Sequence, residues 1–104
     1  MVEQVFNLSS EDQTAVERVC FDENVHYLHM VFEKDAGLPL HDSNSNVYMT
    51  VVRGNLSIGL NKQEIKVYPA HTLLKIPEGT KMNVRNTHDE VLELIVVKAP
   101  APAQ

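Results

Sequence analysis

The chain has 104 residues, 43% of them hydrophobic and 22% charged, enough for one domain with a core of its own. A formal net charge of −5 and a pI near 5.4 argue against a nucleic-acid surface, which would need a basic stripe, and against docking on an anionic membrane. Cys20 is the single cysteine, so neither an intrachain disulfide nor a thiolate metal cluster can form.

Residues 1–13 are mixed and polar and read as an N-terminal arm. They lack the basic start and apolar centre of a signal peptide, and no apolar run approaches the ~20 residues that span a bilayer. The expected compartment is the cytoplasm. Ser9, followed three residues later by Asp12, has the order of a capping box and predicts a short helical turn.

From Ala15 the pattern becomes β. A weakly alternating stretch runs to Phe21, Asp22 to Asn24 reads as a turn, and Val25 to Phe32 is rich in β-branched and aromatic residues. A loop with Gly37 and Pro39 follows. Val47 to Val52 is a strong strand candidate, and Gly54-Asn55 punctuates it. Leu56, Ile58 and Leu60 then share one face with a period of two. Further strands are predicted around Ile65 and Val67, around Leu73 to Ile76, and around Met82 and Val84. The last runs from Val91 to Val97 and is apolar on both sides. Lys98 to Gln104 is rich in Ala and Pro and is expected to fray. Short strands at such regular spacing predict an all-β sandwich or barrel in one domain.

Two segments resemble the motifs of the cupin superfamily. The first runs through Pro39, His41, Ser43 and Val47 to Gly54. The second runs through Ile76, Pro77, Gly79 and Met82 to Asn86. The resemblance implies a cupin-type double-stranded β-helix, a jelly-roll barrel. It also implies that three histidines and a glutamate would normally hold a divalent metal. At those positions this chain keeps His41 but carries Ser43, Val47 and Met82. Val47 has no donor atom, and serine is a poor ligand for the metals that imidazole and carboxylate favour. The expectation is a barrel with its metal site lost and no cofactor.

Strand parity places His41, Ser43, Val47, Met49, Val51, Met82 and Val84 on the inner face, as the lining of a lumen for a small apolar molecule. His41 and Ser43 would be its polar contacts. No catalytic residue is assigned. The expected function is a small-molecule-binding module or a structural or regulatory one, and the alternative is a small cupin enzyme of the oxygenase or isomerase type, with a non-standard metal site or with metal-free acid–base work by His41. His26 and His29, three apart on a strand, fall on opposite faces and cannot share one ion without a bulge, though either could still turn towards His41. Something must cover the apolar outer face of the last strand. A second copy in a homodimer is the expectation, and the chain's own N-terminal segment is the alternative.

Overall fold

The computed structural model describes residues 1–103 and contains nine strands and no helix among them. They are β1 (Ala15–Phe21), β2 (His26–Phe32), β3 (His41–Asp42), β4 (Val47–Arg53), β5 (Asn55–Leu60), β6 (Lys66–Pro69), β7 (Thr72–Ile76), β8 (Lys81–Arg85) and β9 (Leu92–Lys98). They form a five-stranded sheet, ordered β1-β2-β9-β4-β7, and a four-stranded sheet, ordered β3-β8-β5-β6. Every pairing is antiparallel.

Alternation decides what lies between the sheets. On β4 the inward residues Val47, Met49 and Val51 are at most 1% exposed. On β9 the inward set is Leu92, Leu94 and Val96, and on β2 it is Leu28, Met30 and Phe32. The second sheet answers with Leu56 and Ile58 on β5 and Met82 and Val84 on β8. These side chains form one apolar core, and its burial is the main favourable term in folding.

Turns and bulges set the ends. Asp22 Oδ1 accepts from the backbone N–H groups of Asn24 and Val25, closing the turn expected there. Gly54 joins β4 to β5 at φ +82°, and a Cβ there would stand 2.3 Å from the Val91 carbonyl oxygen. A bulge lies in β4 between Val51 and Arg53. Without it Arg53 would follow Val51 into the interior. The extra residue turns it to the outer face, where it pairs with Glu93.

Two expectations about the chain's ends need correction. The Ser9–Asp12 segment forms no helical turn. Ser9 Oγ accepts from the Glu11 N–H, and the Ser9 N–H donates to the Glu17 carboxylate, so the arm is tied to β1 in extended form. The last strand runs one residue further than expected, to Lys98, and Gln104 of the tail expected to fray lies outside the described residues. The Ala99 N–H then donates to the Asn46 carbonyl and the Ala101 N–H to the Asn24 carbonyl. The arm also covers part of the outer face: Phe6 and Leu8 border one hollow together with Val19, Cys20 and Tyr27.

Candidate functional site

One end of the barrel holds a cavity of about 260 Å3. β4 supplies Val47 and Met49, β2 supplies Leu28 and Met30, and β8 supplies Met82. Leu38 and Pro39 enter from the connection between β2 and β3, and Val16 from β1. Two side chains with nitrogen atoms complete the wall: His41 on β3, and Lys98 beyond Val96 on β9.

Four of the seven residues expected to line a lumen therefore meet there: His41, Val47, Met49 and Met82. The other three are elsewhere. Val51 and Val84 also face inward, but they are fully buried in the packed core and do not border the cavity. Ser43 is buried and already engaged. Its Oγ donates to the Pro77 carbonyl at 3.0 Å and accepts from the Thr80 N–H at 3.0 Å. Its backbone adds two further bonds to the same turn, with Thr80 and Gly79. Ser43 thus fixes the β7–β8 turn against the end of β3.

His41 Nδ1 lies 2.8 Å from the Pro39 carbonyl oxygen. A carbonyl only accepts, so Nδ1 carries the hydrogen, and Nε2 is the nitrogen left for a ligand. Among the described residues no carboxylate bonds to the ring. Lys98 is half-buried, and Nζ reaches Asn44 Oδ1 at 3.3 Å. Burial pushes its pKa down. Strand parity could have found it, because Leu92, Leu94, Val96 and Lys98 alternate; its place next to the Ala/Pro-rich stretch concealed it.

The residues at the family's metal positions do not suit a metal. Val47 offers no donor, Ser43 is bonded to the β7–β8 turn, and Met82 offers only a thioether. No group of three or more His, Cys, Asp or Glu side chains able to hold an ion occurs among the described residues. Neither His26 nor His29 borders the cavity. His26 stacks on Phe21, with ring centroids 3.8 Å apart.

His29 has a separate role that its sequence neighbours do not disclose. It is 1% exposed on the outer face of β2. Nδ1 lies 2.6 Å from Glu17 Oε1 on β1, and Nε2 lies 2.6 Å from Glu93 Oε2 on β9. With a carboxylate at each nitrogen, the ring is held as imidazolium and donates both ways. Burial acts to lower its pKa, but the hydrogen bonds to Glu17 and Glu93 and their charges outweigh it, and the net shift is upward. Arg53 extends the cluster, with Nε 3.4 Å from Glu93 and a guanidinium nitrogen 2.7 Å from Asp12 in the arm. His71 and His88 lie in turns: His71 is exposed at φ +73°, and the His88 N–H donates to Asn86 Oδ1.

No family model matches the chain. Over 103 residues it is 32% identical to an uncharacterised protein of Methanocaldococcus jannaschii, covering 98% of this chain and 89% of that one. The crystal structure of an RmlC-like cupin family protein with a double-stranded β-helix fold, from the same organism, is 31% identical in sequence. It matches with a TM-score of 0.94 over 98% of this chain and 94% of that one. An RmlC-like cupin from Desulfovibrio desulfuricans, 22% identical, matches with a TM-score of 0.79 over 94% of this chain and 97% of its own. At that identity the likeness speaks for the fold alone. Paired sheets closing on an apolar lumen, and close sequence and structural kinship along nearly the whole chain, lead to one assignment: this protein belongs to the RmlC-like cupin family.

Proposed function

We propose that this protein is a metal-free, non-enzymatic cupin barrel that binds a small, largely apolar molecule at the open end of its lumen. The observation that carries the reading is the cavity wall: aliphatic and thioether side chains throughout, broken only by His41 and Lys98. At about 260 Å3 the cavity lies just below the ~300 Å3 lower end of typical ligand pockets, which limits the ligand to a small molecule. His41 has no orienting acid, since its Nδ1 partner is a backbone carbonyl, and this favours binding over acid–base catalysis.

The working form in this reading is a homodimer. Its support is the arm, where Val2 and Val5 are largely exposed and Phe6 is half exposed. Sedimentation at micromolar concentration should give twice the chain mass, and a monomer there would remove this part of the reading.

The cavity test uses methyl-labelled methionine. Titration with hexanol should move the Met30, Met49 and Met82 methyl signals together and saturably, leaving the exposed Met1 unmoved. Unchanged signals for all three at millimolar hexanol would refute an accessible apolar lumen.

A further inference from the structure

Lys98 sits where an apolar ligand alone would leave a charge unanswered. The cavity wall contains no aspartate or glutamate, although acidic residues outnumber basic ones 14 to 9 in the chain. Two of the nine Lys and Arg side chains, Lys34 with Asp89 at 2.8 Å and Arg53 with Asp12 at 2.7 Å, pair with carboxylates among the described residues, and Lys98 is the Lys or Arg side chain that lines the cavity. Both pairs lie at the surface, with the Lys34 and Arg53 side chains 56% and 40% exposed. Lys98, half-buried, has no carboxylate within 4.0 Å among the described residues. Its side-chain partner is the neutral Asn44 amide, at the long distance of 3.3 Å.

The position is fixed by strand geometry. Lys98 is the last residue of β9, on the inward register after Leu94 and Val96. It pairs with Val47, itself part of the cavity wall. The opposite sheet places His41 in the same wall, paired with Met82. The wall therefore carries one ammonium and one imidazole and is otherwise apolar. Taking an ammonium out of water without a counter-charge is costly, and a bound anion would offset that cost. The lowered pKa of Lys98 agrees with a charge not yet compensated.

We infer that the ligand is a small apolar monocarboxylate, its carboxylate paired with Lys98 and its hydrocarbon body among Met30, Met49 and Met82. The inference rests on the proposed lumen-binding function and specifies its ligand class. With Nδ1 committed to Pro39, His41 Nε2 is left to accept a hydrogen bond from a second polar group on such a ligand.

The test compares hexanoate, hexanol and hexylamine on the intact protein, by calorimetry and by the same methionine methyl signals. Hexanoate should bind about tenfold tighter than hexanol, the scale of one charge-assisted hydrogen bond at a partly open site. Hexylamine should bind most weakly. In Lys98→Met the advantage of hexanoate should vanish while hexanol still binds, which also shows that the variant is folded. If that variant does not fold, the contrast between hexanoate and hexylamine on the unaltered protein decides alone. Hexanol binding as tightly as hexanoate would overturn the carboxylate inference and leave the lumen reading standing. Failure of every probe to move the three methyl signals would overturn both.

Discussion

Replacing His29 with glutamine removes the cation held between Glu17 and Glu93 while keeping a polar side chain of similar reach. Both ring nitrogens make 2.6 Å bonds to carboxylates, and a hydrogen bond to a charged group generally contributes about 1.5–3 kcal/mol. The two carboxylates are 34% and 22% exposed, so solvent weakens each bond, and the lower end of that range applies. Glutamine restores one neutral donor but leaves two carboxylates facing each other, so the net cost should be about 2 kcal/mol at pH 6. In a domain of this size that lowers Tm by roughly 8–15 °C.

The cost should also depend on pH. The folded-state pKa of His29 is raised, so its contribution is complete below the unfolded value near 6.5 and is lost as pH climbs through the folded value. Glu17 is shifted downward, first by the bond from His29 and then by the Ser9 N–H, so its contribution holds above about pH 4.5 and fades on acidification. The cluster is at full strength between those limits. Urea unfolding of both proteins at pH 6 and pH 9, at one fixed concentration, should give a larger difference at pH 6. Equal differences at the two pH values would refute the imidazolium assignment.

Two further substitutions test the fold. Gly54→Ala adds a Cβ 2.3 Å from the Val91 carbonyl at φ +82° and should cost about 3 kcal/mol or more; Gly79→Ala, at φ +84° with nothing within 4 Å, should cost only about 1 kcal/mol. Thermal melts of the pair read the difference directly. Asn86→Ala removes a fully buried amide that donates to the Phe32 and Glu90 carbonyls and accepts from the His88 N–H. It should cost about 2–4 kcal/mol by chemical denaturation.

The inner face was legible in the sequence because parity and motif spacing report the same thing. Val47, Met49 and Val51 alternate on a β-branched strand, and the first motif fixes where that strand begins. The open end of the lumen was only half legible. His41, Val47, Met49 and Met82 line it, but whether an inward residue borders a cavity or closed core depends on packing from other strands. Val51 and Val84 show this, since the same parity leaves them in the core. Ser43 reads as a lumen polar group until the turn carrying Thr80 folds onto it.

The His29 cluster is non-local. Glu17, His29 and Glu93 meet because β2 lies between β1 and β9, and Arg53 joins them through a bulge that no local pattern announces. The arm is similar: its bond from Ser9 to Glu17 replaces the helical turn that its residues favour on their own.

The central proposal is that this cupin works without a metal, through an apolar lumen, and metal content tests it most directly. Untagged protein, purified without chelators, should carry well under one transition metal per chain by plasma mass spectrometry. The reasons are that Val47 offers no donor, Ser43 is bound to the β7–β8 turn and His29 is held by two carboxylates. One tightly held metal per chain, surviving gel filtration, would contradict the account and move the enzyme reading of His41 to first place.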